Sequence, residues 1–202
     1  MSRPVTNVFL AGVGGQGILL ASEVLSEACL ASGFDVKKSE VHGMAQRGGA
    51  VTTHLRFGER VYSPLIEVGT ADLLIAFEKL EALRFVHMLR SDGVVVVNTQ
   101  EIPPAPVSSG QDRYPERIEE RLRAAIANVH LVDALTTALN LHEIRAVNIV
   151  MTGAASQFLP LPESAYEAAL RRRLPAKYLD VNLQAFQAGR ALVMAKSGTG
   201  PQ

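Results

Sequence analysis

Apolar positions along the chain alternate between two rhythms up to about Ala134 and settle into one beyond it. Short runs in which nearly every position is apolar open at Asn7 (NVFLAGV), at 71–78 (ADLLIAFE) and at 93–99 (GVVVVNT). Runs of that length, apolar on both faces, predict parallel strands covered by helices on either side. The helical rhythm stands between them. GILLASEVLSEACLASG sets Ile18, Ala21, Leu25 and Ala28 on one face and Ser22, Glu23, Ser26 and Glu27 on the other, and Gly33 ends the helix. A short strand to about Glu40 follows, then a polar loop, then a strand over 50–57 that turns at Gly58 and Glu59. A helix over 79–89 joins the second and third apolar runs. The proline-rich QEIPPAPVSSGQDRYP is a surface connection to a helix over 115–127 and the strand VHLVDA.

Past Ala134 the pattern is helical: AVNIVMTGAASQFL, then PESAYEAALRRRL, then 177–195 with Leu179, Leu183, Phe186 and Val193 as its apolar stripe. This order predicts an α/β fold, a Rossmann-like, mostly parallel sheet flanked by helices, with a helical C-terminal part. No internal repeat interrupts it. A single domain over 1–195 and a flexible polar tail over 196–202 are expected.

Composition narrows the function classes. With 48% hydrophobic residues among 202, the chain suits one continuous core. Twenty basic residues balance twenty acidic ones, so no overall field favours nucleic acid or an anionic membrane, and neither partner is expected. No apolar run approaches the ~18–20 residues that span a bilayer, and MSRPVTN lacks a signal peptide's apolar segment, so a cytoplasmic location is expected. Cys29 is the only cysteine, which excludes an internal disulfide framework and an iron–sulfur cluster held by several thiolates of this chain alone. Set in an apolar helix, it reads as core.

Two stretches concentrate chemistry. In GVGGQG, Gly12, Gly14 and Gly17 satisfy G-x-G-x-x-G at a strand-to-helix junction, with Gly15 and Gln16 between them. Small residues there let backbone approach a phosphate, and the helix N-terminus offers free N–H groups. The alternative is a tight turn with close helix-to-strand packing and no ligand. A dinucleotide site also wants a carboxylate after the second strand, and Glu40 stands 23 positions after Gly17. The loop SEVHGMAQRGGAV then gathers Glu40, His42, Gln46 and Arg47 beside Gly48 and Gly49. Arg47 with the open N–H groups of the two glycines suits a carboxylate, a phosphate or an acidic residue of a partner, against the alternative of a glycine bulge with a solvated arginine.

His42, His54, His87, His130 and His142 make no metal-ligand spacing, and no Walker A sequence, nucleophile elbow or paired-carboxylate motif appears. No metal is expected. Arg171, Arg172 and Arg173 read as a solvated helix end, and Phe158, Tyr166 and Phe186 as packing.

GVGGQGILLASEVL followed by SEVHGMAQRGGAV resembles the gamma-type domain, or small subunit, of 2-oxoacid:ferredoxin oxidoreductases, most nearly the indolepyruvate-type beta subunits. ADLLIAFEKLEALR, VNIVMTGAAS and NLQAFQAG extend the resemblance over roughly 7–195. It implies oxidative decarboxylation of a 2-oxoacid to its acyl-CoA, with coenzyme A as co-substrate and electrons leaving through the complex to ferredoxin. It also implies that thiamine diphosphate, magnesium and iron–sulfur clusters sit on a large partner subunit and none on this chain alone. Gly12, Gly14, Gly15, Gln16, Gly17, Glu40, His42, Gln46, Arg47, Gly48 and Gly49 are then expected to face substrate, coenzyme A or the partner, with none given a catalytic role. Two other functions stay open from the residues themselves. One is an independent NAD(P)-binding oxidoreductase, for which G-x-G-x-x-G and Glu40 speak although no Tyr-x-x-x-Lys is present. The other is a non-catalytic binding or regulatory module.

Overall fold

The computed structural model describes residues 5–42 and 49–197, apart from the side chains of His42 and of 195–197. The order is β1 Thr6–Val13, α1 Ile18–Ala31, β2 Asp35–His42, β3 Ala50–Gly58, β4 Ala71–Ala76, α2 Lys79–Phe85, β5 Leu89–Asn98, α3 Ala105–Ser108, α4 Ile118–Ala125 and β6 Asn128–Val132. Helices α5 Ala134–Asn140, α6 Val147–Ser156, α7 Glu163–Arg173 and α8 Ala176–Ser197 complete the described chain.

The strands form one six-stranded sheet in the order β2-β3-β1-β4-β5-β6. The pairings of β1 with β4, β4 with β5 and β5 with β6 are parallel, whereas β3 is antiparallel to both β1 and β2. The expected α/β sheet with flanking helices is therefore present, and its β2–β3 end is a mixed extension. The reason lies in the connections. β2 and β3 follow one another closely in the chain, Asp35–His42 and Ala50–Gly58, and pair as antiparallel neighbours, while the parallel strands carry the helical crossovers that parallel pairing requires.

Strand alternation divides the core in two. Val8 and Leu10 of β1, Leu73 and Ile75 of β4 and Val96 of β5 point to the face covered by α1, α5, α6 and α8. Phe9, Ala11, Leu74, Ala76, Val95 and Val97 point to the other, beneath α2 and α4. The apolar runs of the sequence are continuous because both faces are covered. Burial pushes the Cys29 thiol up to about 12, in keeping with its place in the core. Tyr166 and Phe186 are fully buried with ring centroids 5.3 Å apart.

Element boundaries shift where capping intervenes. The helix expected over 79–89 ends at Phe85 and a single 3-10 turn, Val86–Met88, leads into β5, which starts at Leu89 rather than at Gly93. The helix expected from 115 starts at Ile118, because Arg117 takes a left-handed conformation (φ 55°) ahead of it. α8 runs to Ser197, past the expected start of the tail, and the rest of that tail lies outside the described residues.

Helix α6 lies under α8 at very close range. A β-carbon at Gly153 would fall 2.1 Å from the Phe186 carbonyl oxygen, and one at Gly189 would fall 1.9 Å from that of Val150. Backbone-to-backbone packing of this kind leaves no room for any side chain. The arginines closing α7 are not simply solvated. Arg173 reaches Glu27 of α1 at 2.8 Å and Glu23 at 3.5 Å, and Arg172 reaches Glu27 at 3.5 Å, so they fasten α7 to α1.

Candidate functional site

Parallel strands end together at one edge of the sheet, and where β1 departs toward β2 on one side while β4 lies on the other a crevice opens. The glycine turn sits there. Gln16 folds back from it: its Oε1 accepts from the Val13 N–H at 2.8 Å, and its Nε2 donates to the Phe77 carbonyl at 2.7 Å and to Gln100 Oε1 at 3.3 Å. Asn98 Nδ2 donates to the same Phe77 carbonyl at 3.1 Å, and Asn98 Oδ1 accepts from the Ala134 N–H at 3.2 Å. Side chains thus tie together the ends of β1, β4 and β5. Gln16, expected to face a ligand, spends its amide on the scaffold while still lining the crevice.

The two glycine-rich stretches meet. The Gly14 N–H donates to the Gly49 carbonyl at 2.9 Å, so the return of the second loop is anchored on the first turn. Gln46, Arg47 and Gly48 lie outside the described residues, as does the side chain of His42. Glu40 is not brought to the turn. It pairs across β3 with Thr53, which in turn faces Leu10 of β1, and its carboxylate meets Lys38 at 2.7 Å. In a dinucleotide site the second strand would lie beside the first, and here β3 lies between them.

Helix α1 begins without a side-chain cap on Gly17, which holds φ 76°. Its first N–H groups are those that an α-helix leaves without intrahelical partners, at the positive end of its dipole. Asn148, in the first turn of α6 and only 3% exposed, presses on that turn: its Nδ2 donates to the Gly17 carbonyl at 3.1 Å. A β-carbon at Gly17 would stand 2.4 Å from this nitrogen, so the glycine is required by its neighbour as well as by its φ. The Asn148 Oδ1 is buried and has no hydrogen-bond partner among the described residues, an arrangement that costs free energy unless a donor arrives.

A cleft of about 380 Å³ opens over these groups. Gly15, Gln16, Gly17, Gln100, Arg145 and Asn148 form its polar wall, and Leu20, Leu135, Ile144 and Val147 its apolar one. Arg145 gives Nε and Nη2 to the two carboxylate oxygens of Glu143 at 2.8 and 2.9 Å, and its guanidinium lies 4.7 Å from the Tyr178 ring centre. Glu143, then Tyr178, holds the guanidinium even more firmly protonated than usual, while Arg145 and then Lys177 lower the pKa of the Tyr178 phenol. Such a cleft, a helix N-terminus and a cation on one side with apolar surface on the other, suits an anionic ligand that also carries an apolar part.

A larger hollow of about 510 Å³ lies elsewhere, lined by Lys79, Glu101, Tyr114 and 115–120. Its charges answer one another: Lys79 meets Glu101 at 2.9 Å and Glu119 at 3.3 Å, and the Tyr114 hydroxyl donates to the buried Glu78. The smaller cleft, with its orphaned acceptor, is the stronger candidate. Arg145, Asn148 and Gln100 escape the sequence reading because each stands alone, with no spacing that links it to the glycine turn. The one local signal is polar Asn148 near the start of a mostly apolar helix. Among the described residues no three His, Cys, Asp or Glu side chains gather as metal ligands, and no helix is long and apolar enough to cross a membrane.

The family model described as pyruvate ferredoxin/flavodoxin oxidoreductase matches residues 7–192. The chain is 39% identical over 188 residues to the indolepyruvate oxidoreductase subunit IorB of Thermococcus kodakarensis, covering 91% of this chain and 93% of that one. It is 29% identical over 191 residues to the 2-oxoglutarate synthase subunit KorC of Methanothermobacter thermautotrophicus, covering 93% and 95%. Among solved structures, the gamma subunit of a keto/oxoacid ferredoxin oxidoreductase from Geobacter sulfurreducens superposes with a TM-score of 0.68 at 22% identity, over 94% of this chain and 99% of that one. A 2-oxoglutarate:ferredoxin oxidoreductase from Magnetococcus marinus, solved with 2-oxoglutarate, coenzyme A and succinyl-CoA, superposes with a TM-score of 0.75 at 21% identity, over 98% of this chain but 32% of that one. These last two likenesses concern the fold. By the family match over 7–192 and the 39% identity across 91% of its length, the chain belongs to the pyruvate ferredoxin/flavodoxin oxidoreductase family, as a relative of its indolepyruvate oxidoreductase IorB subunits.

Proposed function

We propose that the chain is the small subunit of a thiamine diphosphate-dependent 2-oxoacid ferredoxin oxidoreductase that acts on an aryl pyruvate such as indolepyruvate. The complex converts the 2-oxoacid and coenzyme A to acyl-CoA and carbon dioxide and passes two electrons to ferredoxin. The observation that carries this chain's part is the cleft at the glycine turn, lined by an uncapped helix N-terminus, Arg145 and Asn148, whose buried Oδ1 has no partner among the described residues. Phosphates of coenzyme A suit the helix N-terminus and the guanidinium, and its amide N–H groups suit the orphaned acceptor. Thiamine diphosphate, magnesium and the clusters belong to a large partner subunit, since the one cysteine of this chain supplies at most one cluster ligand. The chain is active only in that complex and completes or covers the partner's active site, with the Arg47 loop facing substrate, coenzyme A or the partner.

The test is affinity purification of the tagged chain from its host, followed by metal and thiamine diphosphate analysis and an assay of coenzyme A-dependent ferredoxin reduction with aryl pyruvates. A stoichiometric large partner bringing thiamine diphosphate and iron, with turnover of aryl pyruvates, is the expected outcome. A lone chain that retains NAD(P) would overturn the reading. Within the complex, Arg47→Ala that lowers turnover without dissociating the subunits would give the loop a role toward substrate, and dissociation would give it a role in docking.

A further inference from the structure

We propose that Arg145 is a movable gate between the glycine-turn cleft and an adjoining recess, and that an elongated ligand with an anionic end displaces it and lies along both. The inference rests on the coenzyme A reading above. The recess, of about 140 Å³, is lined by Leu20, Glu143, Arg145, Leu174, Tyr178 and Asn182. Among the described residues, Leu20 and Arg145 alone line both hollows and form the partition between them. Leu20 belongs to α1 and is fixed by it. Arg145 is a long side chain, 68% exposed, held in place by Glu143 and by stacking on Tyr178. The pair is bidentate and Glu143 is only 16% exposed, so a ligand's anion draws the guanidinium away only where a second attraction adds to it.

Three features say that the exchange has a purpose. Helix α1 presents its uncapped N-terminus beside the guanidinium, so an anion placed there meets both. Asn148 Oδ1, buried and unpartnered in the wall of the same cleft, asks for an N–H or O–H donor and is independent of charge. The Tyr178 ring also carries Lys177 Nζ at 4.7 Å, so its face keeps a cation after Arg145 leaves. The ligand class follows: a phosphate-bearing end at α1, an N–H or O–H donor within reach of Asn148, and an arm that passes over Leu20 toward Leu174 and Tyr178. Coenzyme A has all three parts. Inorganic pyrophosphate has only the first.

The experiment is titration calorimetry of coenzyme A and of inorganic pyrophosphate on the assembled complex without 2-oxoacid, with substitutions in this subunit alone. Arg145→Gln removes the anion partner and raises the coenzyme A Kd about tenfold. Glu143→Gln frees Arg145 from its resting place and lowers the Kd about threefold. The double variant behaves as Arg145→Gln. Pyrophosphate follows the same signs but is indifferent to Leu174→Trp, which fills the recess and weakens coenzyme A. Opposite signs for Arg145→Gln and Glu143→Gln are what a merely structural ion pair does not give. Equal weakening by both, or no effect of either, overturns the gate. Ile144→Trp, which fills the glycine-turn cleft, separates the two ideas. If it abolishes coenzyme A binding while the gate variants do nothing, the gate alone falls. If it too leaves binding unchanged, coenzyme A does not use this cleft and both readings fall.

Discussion

Gly17→Ala tests whether the glycine turn is shaped by Asn148 or only by its own backbone. An added methyl would stand 2.4 Å from Asn148 Nδ2 and 3.0 Å from its Cγ, at a residue that holds φ 76°. Keeping an L-residue other than glycine in the left-handed region costs roughly 1–2 kcal/mol. Forcing a methyl into a packed side chain costs about 1–3 kcal/mol more. Alanine also restricts the unfolded chain, which returns about 0.4–1 kcal/mol. The variant should therefore lose about 1–4 kcal/mol of stability. In an Asn148→Ala background the contacts at 2.4 and 3.0 Å are removed and only the β-carbon at 3.2 Å remains, so the same substitution should cost about 0–2 kcal/mol. Urea unfolding of the wild type, both single variants and the double variant yields the coupling directly, with an expected size of about 1–3 kcal/mol. A coupling near zero would mean that the turn yields without Asn148, and the role of that residue in forming the cleft wall would fall.

Gly189→Ala should destabilise more than any surface change, by about 3 kcal/mol or more, because its methyl would meet backbone 1.9 Å away that no rotamer change can move; a thermal midpoint within about 3 °C of wild type would contradict the backbone contact of α6 with α8. His54 accepts from the Ile66 N–H at 3.0 Å through Nδ1, and burial lowers its pKa below the ordinary 6.5. The folded state therefore favours the neutral ring, so its contribution is complete above about pH 6.5 and is lost as pH falls toward the depressed value; stability measured from pH 7 downward should fall less steeply in His54→Gln, and an unchanged slope would refute this. Cys29, buried with its thiol pushed up to about 12, should resist iodoacetamide at pH 8 in the native chain and react on unfolding, as read by intact mass.

The parallel half of the fold is legible because its strands are apolar on both faces, and that pattern needs no knowledge of neighbours. β3 is different. Its residues alternate between buried and partly exposed, which marks a strand but says nothing about which strand it joins or in which direction. The pairing of Val51 with Gly12 and with His42 at once is a long-range fact. The same limit hides the site. Gly12 to Gly17 announces itself through local turn chemistry, yet the residue that completes its wall, Asn148, is 131 positions away from the Gly17 carbonyl it bonds. Gln16 is legible as part of the site but not in its role, since the carbonyl it binds belongs to Phe77 at the end of another strand.

That insertion of β3 separates the glycine turn from the carboxylate a dinucleotide site would use. A dinucleotide site needs the turn after the first strand and a carboxylate after its immediate neighbour, close enough to share one ribose. Here Glu40 sits two strands from β1, roughly 9–10 Å across the sheet at ordinary strand spacing, with Lys38 on its carboxylate. Three turn donors are also taken: the Val13 N–H by the Gln16 side chain, the Gly14 N–H by the Gly49 carbonyl and the Gln16 N–H by the Val13 carbonyl. The ligand-facing groups that remain lie further along the turn and on the far side of the crevice, from Gly15 to Leu20, Gln100, Arg145 and Asn148. Under the function proposed above, recognition shifts from the β2 side of β1 to the side of β5 and α6, and a ligand there would meet α1 at its anionic end and the C-terminal helices along its length. A glycine turn used in that way would need no ribose carboxylate, and Glu40 serves as a strand residue, paired with Thr53 across β3 and with Lys38.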